Sequence, residues 1–427
     1  MKPDIFLKTA QARHLYESCA NLPIIDYHNH LSPIELAHDR RFDNITELWL
    51  APDPYKHRLL RICGIEEQKI TGDDTPYEKF RTFCEVFPYL AGNPVYDWAR
   101  MELSQVFGID ELPSKDNARK LYDQTREMLQ SPEFSYHGIL RCFHVEYLAP
   151  VVSLSDELSH FDGVRVAPSL RGDSLLSPDR ALLGFLQNQT GIAVTDTDSY
   201  VRAIAVILDR FDARGCRFAD HALDSDFFEN DAAGQKTDLL RRLGNEYEKR
   251  HWTLLLHLDA KRQTSTRLRN LAGVAGGYAC AGGNFPIAKV CDLLNGMEEG
   301  GGLPDTVLFP LNIGDQAPIS ILQGSFSEDG RANKVSLGPA WWWCDHAKGI
   351  CETLSSVASF GVLSQFIGMT TDSRNVLSFV RHDYFRRILC TWLAEQNERG
   401  DWDLPFGVLQ EIAVNVSYQN AKKKLKK

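Results

Sequence analysis

The stretch Ile24-Ile25-Asp26-Tyr27-His28-Asn29-His30 decides how the rest of the chain is read. Its apolar, β-branched start predicts a buried strand over residues 22–28. Two histidines end it at i, i+2 spacing, and side chains two apart on a strand project the same way. A pair of imidazoles leaving one strand end suits zinc, iron or nickel alike, and asks for a third ligand elsewhere in the chain.

Before this stretch, residues 6–20 read as a helix that delivers the chain to the strand. After it, from about residue 33 to 140, strand-like runs are absent. Apolar residues recur at helical spacing in 42–49 and 57–63, the latter stopped by Gly64, and again near 77–88 and 115–130. Residues 33–140 are therefore expected to be a helical insertion domain, with 1–32 and 141–427 forming the main body. The pattern then changes. Apolar runs recur at 145–152, 164–167, 216–219, 253–258, 306–311, 334–337 and 366–370, with helical segments such as 200–214 between most of them. With the first strand that makes eight, and short strands alternating with helices imply βαβ units and a parallel sheet. Eight suggest a closed barrel, although periodicity alone leaves an open doubly wound sheet in play. The glycine-rich segment 273–283 lacks dinucleotide-motif spacing and reads as a mobile loop.

In a closed barrel, chemistry belongs at the C-terminal strand ends, and strands one and eight are neighbours. Strand eight runs into Thr371-Asp372-Ser373-Arg374, so Asp372 is placed to join His28 and His30 as a metal ligand. His257, at the end of Leu254-Leu255-Leu256-His257, is a further cavity candidate, with His221 a weaker one. Among Trp341, Trp342 and Trp343, Trp342 is taken as a sugar-binding wall.

Composition narrows the class. The chain has 427 residues, 43% hydrophobic and 24% charged, as a globular protein does. A net charge of −10 argues against a nucleic-acid surface. The one basic run, Lys422-Lys423-Lys424-Leu425-Lys426-Lys427, reads as a solvated tail. Met1-Lys2-Pro3-Asp4-Ile5 starts no apolar signal segment, and no run reaches the length of a membrane span. Ten scattered cysteines without a Cys-x-x-Cys pair read as free thiols, so a cytoplasmic location is expected.

Six stretches carry a resemblance. They are Asp26-Tyr27-His28-Asn29-His30-Leu31, Gly92-Asn93-Pro94-Val95-Tyr96-Asp97-Trp98 and Gly215-Cys216-Arg217-Phe218-Ala219-Asp220-His221. With them stand Gly338-Pro339-Ala340-Trp341-Trp342-Trp343, Phe366-Ile367-Gly368-Met369-Thr370-Thr371-Asp372-Ser373-Arg374 and Arg381-His382-Asp383-Tyr384-Phe385-Arg386-Arg387-Ile388-Leu389. In order and over nearly the whole chain, these resemble the uronate (glucuronate) isomerase family of the amidohydrolase superfamily.

The resemblance implies a distorted (β/α)8 barrel holding one divalent metal, usually zinc, through His28, His30 and Asp372. It implies aldose–ketose isomerisation of uronic acids: D-glucuronate to D-fructuronate, D-galacturonate to D-tagaturonate. Asp372, Tyr55 and Arg374 then become the catalytic residues, with Asp372 as base, Tyr55 moving protons at oxygen and Arg374 steadying an enediolate. Arg171 falls where the family has an arginine after strand three, suited to a substrate carboxylate. Arg171, Trp342 and His257 make the substrate-binding set.

The chain departs from the family pattern at three places. Pro54 precedes Tyr55 where a histidine is usual, Val151-Val152-Ser153-Leu154 replaces an acidic segment, and Ala279-Cys280 replaces Asp-Ser. All three touch the substrate side, so slower turnover or a different uronic acid is expected. Two other readings compete: a hydrolase or lactonase of the same superfamily, and a non-catalytic homologue that binds a sugar acid. The expected partners are a small sugar acid and further copies of the chain, without nucleic acid or membrane.

Overall fold

Alternation within single strands shows how the sheet curls. In β6 (Thr253–Leu258), Leu254, Leu256 and Leu258 pack outward into the main core, while Leu255 joins a second, inner cluster. That inner cluster collects Ile25, Tyr27, Tyr147, Ala149, Phe218, Val307 and Phe309 from successive strands, with Ile367 from the segment beside the first of them. One face of the sheet thus closes on itself, and the other is covered by helices. This is the arrangement of an α/β fold whose parallel sheet is curled into a half-barrel.

The computed structural model describes residues 4–154, 156 and 164–426. Residues 1–3 of the N-terminal segment and Lys427 of the basic run lie outside them. The strands are β1 (Ile24–Asn29), β2 (Val145–Val152), β3 (Arg165–Val166), β4 (Ser169–Arg171), β5 (Phe218–Leu223), β6, β7 (Ala260–Lys261), β8 (Cys280–Ala281), β9 (Thr306–Pro310) and β10 (Val335–Leu337). The main sheet runs β1-β2-β4-β5-β6-β9-β10 with every ladder parallel; β3 pairs with β2, and β7 and β8 form a separate antiparallel hairpin.

Two expected strands come out differently. The run 164–167 makes only the short β3, and the chain re-enters the sheet as β4 after Pro168, which has no N–H to give a ladder. The expected eighth strand, 366–370, forms no ladder among the described residues. It still lies along β1: Asp372 N donates to His28 O at 3.1 Å and His30 N to Ser373 O at 2.9 Å. Side chains take over where ladder bonds are lacking, with Tyr27 OH donating to Gly368 O at 2.9 Å and Asp26 accepting from Thr371 N at 2.9 Å.

Between β1 and β2 the chain forms helices, here α2 (Pro33–Ala37), α3 (Pro54–Ile62), α4 (Pro76–Val86), α5 (Pro94–Phe107), α6 (Ala118–Met128) and α7 (Tyr136–Cys142), following α1 (Ala10–Cys19). Four of these, α2 to α5, start with proline at the first helical position, where a missing N–H costs nothing. Helix α3 carries Tyr55. Asp53 caps it, accepting from the backbone of Tyr55 at 2.9 Å and Lys56 at 3.2 Å, which fixes Tyr55 on the first turn.

Within the C-terminal basic run, Lys422, Lys424 and Leu425 are held against the body of the protein. Tyr418 and Ala421 belong to the inner cluster and Leu425 packs against it, so the last helical segment floors the sheet's interior. Lys424 Nζ reaches Asp305 at 2.5 Å, and Lys422 Nζ lies 3.2 Å from Glu146. Among the described residues, no helix is long and apolar enough to cross a membrane.

Candidate active site

The C-terminal ends of the strands surround one cavity of about 220 Å³. Eight side chains singled out from the sequence, His28, His30, Tyr55, Arg171, His257, Trp342, Asp372 and Arg374, line it. Each arrives by a different route. Arg171 ends β4, His257 lies near the end of β6, and Trp342 follows β10 with a backbone φ of 47°. Asp372 also sits in the left-handed region, at φ 46°. Non-glycine residues held there are strained by about 1–2 kcal/mol and need surrounding contacts to hold them.

For Asp372 those contacts come from Asp26. Buried behind β1, its carboxylate accepts from Thr371 N, from Asn29 Nδ2 at 2.9 Å and from His382 Nε2 at 3.0 Å. It thereby ties the segment leading into Asp372 to the strand that carries the histidines. The β1 register breaks between Asp26 and Asn29. Such an irregularity re-aims side chains, so Tyr27 can enter the inner cluster while its neighbour His28 faces the cavity.

Asp372 Oδ1 lies 3.2 Å from His28 Nε2 and 3.0 Å from His30 Nε2. Around a tetrahedral ion with bonds of about 2.0–2.2 Å, ligand atoms are roughly 3.3 Å apart, so these three side chains fit a small divalent cation. Burial drives the Asp372 carboxyl up, but the hydrogen bonds and charges of His28 and His30 overcome it and hold it well below its ordinary range. For His28 burial works downward and the carboxylates of Asp220 and Asp372 outweigh it, raising the ring; His30 is lowered, chiefly by burial. The site thus keeps an ionised carboxylate between two imidazoles without exposing it to bulk water.

A second group touches the first. His257 Nδ1 is 2.6 Å from Asp220 Oδ1, both side chains being buried, and the His257 and His28 rings are 4.6 Å apart. His28, Asp220 and His257 also bring ligand-type atoms within 4.8 Å of one another. His257 is boxed by Phe309, stacked at 4.5 Å, and Trp341, edge-on at 4.7 Å. Its orientation is set by Asp220 and these rings, which makes it a fixed wall of the cavity. His221 goes elsewhere: it bonds Tyr247 OH at 2.9 Å and does not line the cavity.

Three residues were not found from the sequence. Asp220 sits one residue beyond the expected end of its strand; carrying the alternation from Phe218 one step further places Asp220 and Ala222, not His221, on the cavity side. Arg262 follows β7, its Nε 2.9 Å from Asp224 and its guanidinium 5.1 Å above the Trp342 ring. No periodicity marks it, because it depends on a hairpin of two-residue strands. Asp26 lies within the opening stretch, but only the folded contacts reveal its role.

The glycine-rich segment is tied to α3 by long-range hydrogen bonds. Arg58 on α3 donates to Gly277 O at 3.2 Å, Arg61 bonds Gly276 O, and Cys280–Ala281 is the outer strand of the hairpin. Val274, Ala275, Gly277 and Ala279 thereby roof the cavity beside Tyr55. Arg171 pairs with Asp173 at 3.1 Å and is 38% exposed, leaving much of its guanidinium open to the cavity.

Comparison with known proteins bears on the family and the fold. A family model described as glucuronate isomerase matches residues 1–238 and 228–425. The chain is 36% identical to a uronate isomerase of a Marinomonas species and 35% identical to one of Caldanaerobacter subterraneus, in both cases over 99% of this chain and 98% of the relative. The crystal structure of uronate isomerase from Thermotoga maritima superposes with a TM-score of 0.91 at 26% identity, covering 100% of this chain and 99% of that one. The chain belongs to the glucuronate isomerase family.

Proposed function

We propose that this enzyme interconverts an aldose uronate and its ketose, D-glucuronate with D-fructuronate and D-galacturonate with D-tagaturonate, with the help of one divalent metal, zinc by its ligand set. The observation that carries the reading is that His28, His30 and Asp372 converge in the same cavity as the half-exposed Arg171. A histidine–carboxylate set facing a cation that can grip a carboxylate suits a sugar acid, in a chain aligned end to end with uronate isomerases.

Bound to His28, His30 and Asp372, the metal would polarise oxygens of the reacting carbon pair. The remaining work falls to the chain. Asp372 takes the proton from C2 and returns it at C1. Tyr55, fixed on the first turn of α3, carries protons between the two oxygens, and Arg374 steadies the enediolate. Arg171 grips the carboxylate in its planar fork, Trp342 supports a sugar face, and His257 closes the opposite wall. Architecturally, residues 366–370 are taken as the eighth position of a distorted (β/α)8 barrel, formed by 1–32 and 141–427, with 33–140 as its helical insertion. Assembly into a homo-oligomer is part of the same proposal.

Incubation of the metal-loaded protein with a panel of uronates, followed for aldose–ketose conversion and for solvent deuterium at C1 or C2, tests the reaction. Conversion with label at these carbons is the expected result. Lactone hydrolysis without any conversion across the panel would replace this reading with that of a hydrolase.

A further inference from the structure

Tyr55 faces the cavity, and directly behind it lies a buried cation. Arg381, on the helix Val380–Glu398, is 2% exposed. Its guanidinium carbon is 5.0 Å from the Tyr55 ring centroid and 3.9 Å from that of Trp98. Tyr55 and Trp98 also meet edge-to-face at 5.8 Å, so the cation sits against both rings of one aromatic pair. The other face of the Tyr55 pocket is closed by Trp343, edge-on at 5.6 Å.

Burial works against the charge of Arg381, but Tyr55 and the carboxylates of Asp345, Asp53 and Glu102 outweigh it. Among the described residues its one direct carboxylate contact is Asp345 at 3.4 Å, it donates to the Thr371 carbonyl at 3.1 Å, and its Nε has no hydrogen-bond partner. Burial pushes Asp345 up to about 6, which weakens that pairing further in mildly acidic solution. Removing a guanidinium from water is expensive, and apolar replacements of buried ion pairs are often neutral or stabilising. Filling the space between Trp98 and Tyr55 would not by itself call for a charge. Burial holds the Tyr55 phenol above its ordinary range, and the cation of Arg381 beside the ring works in the opposite direction, favouring negative charge there.

We propose that Arg381 is a positioning residue for Tyr55: it holds the ring toward the cavity and stabilises the phenolate formed when Tyr55 gives its proton to a substrate oxygen. In that step the Tyr55 O–H bond breaks and the proton passes to one oxygen of the reacting pair. The electron pair stays on the phenolate until the hydroxyl on the adjacent carbon returns a proton, so the tyrosine ends each turnover as it began. Because Arg381 also bonds the Thr371 carbonyl, the same side chain links Tyr55 on α3 to the segment bearing Asp372.

The inference rests on the isomerase reading above, and a double-mutant cycle separates the two. Arg381→Met, Arg381→Lys, Tyr55→Phe and the paired variants are compared by steady-state kinetics on D-glucuronate, with metal content measured in parallel. Arg381→Met should lower kcat about 10²-fold, in the range of one acid–base group, with little change in KM or metal content. Arg381→Lys should recover part of that loss. In the Tyr55→Phe background the same arginine change should alter kcat by less than about threefold, because its partner is already silent. Losses that multiply in full, or a rise in KM at unchanged kcat, would show a merely structural arginine and overturn the proposal. If Arg381→Met does not fold, Arg381→Lys with Tyr55→Phe completes the same cycle. A wild type that converts no uronate sinks the isomerase reading and this inference together; an active wild type with multiplying losses sinks the inference alone.

Discussion

His28, His30 and Asp372 owe their meeting to two short extended segments held side by side, with Asp26 as the pin between them. Removing both imidazoles should leave the carboxylate without the groups that hold it ionised. The His28→Ala/His30→Ala variant is expected to fold and to bind less than about one tenth of the wild-type metal, measured by elemental analysis after dialysis. Undiminished metal would place the ion elsewhere, His257 and Asp220 being the nearest alternative. These three side chains were legible in the sequence because strand ends announce themselves by a run of apolar residues followed by polar ones. Asp220 and Arg262 were not, since one needed a strand boundary correct to a single residue and the other a hairpin too short for any period.

Asp345 gives a residue-scale test of electrostatics. Its carboxyl is raised from 3.8 to about 6, chiefly by burial. The folded chain therefore keeps a proton there that the unfolded chain has lost, so this group's stabilising contribution is complete below pH 3.8 and disappears as pH rises through about 6. Two units correspond to on the order of 3 kcal/mol. Asp345→Asn should flatten this part of the stability–pH profile relative to wild type, read from urea midpoints on either side of pH 6. Parallel profiles for the two proteins would mean that Asp345 is ionised throughout.

At the scale of elements, the helices of the 33–140 region and most strands followed from periodicity and capping. What periodicity could not show was which extended runs would share ladders. Residues 366–370 have the apolar content of a strand, yet Gly368 at φ 79° and Asp372 at φ 46° interrupt the extended backbone, and side chains of β1 hold the segment instead. The place of the glycine-rich roof was hidden for a related reason: its long-range bonds from Arg58 and Arg61 cannot be seen in one sequence. Gly277 marks a tight point against α3, where φ is +80° and an added Cβ would lie 2.3 Å from the Pro54 carbonyl oxygen. Gly277→Ala should push the roof away from α3 and raise KM for a uronate about tenfold, roughly 1.4 kcal/mol, with metal content unchanged. An unaltered KM would mean that the roof does not touch substrate.

Across the whole molecule, the sheet's inner face is filled from both ends of the chain. Ile25 and Tyr27 come from the first strand, and Tyr418 and Ala421 from near the C-terminus. Tyr418 is 7% exposed and donates to Glu146 at 2.6 Å, so Tyr418→Ala should cost about 3 kcal/mol, seen as a lowered denaturation midpoint. A loss below about 0.5 kcal/mol would show that the segment merely rests on the sheet. The basic composition of 422–427 hid this role, because lysines with long apolar stems can lie along a core while their ammonium groups reach carboxylates at its rim.

The floor made by residues 418–425 also orders events in time. During synthesis every strand of the sheet leaves the ribosome before residues 418–425, so the nascent chain carries an unsealed apolar lumen until that segment is free. Contacts between the first strand and this last segment span nearly the full sequence, the kind of closure that slows folding and leaves hydrophobic surface on display. A bulky domain fused behind the C-terminus would stand at that doorway, and its linker length would govern how quickly the newly made enzyme shuts.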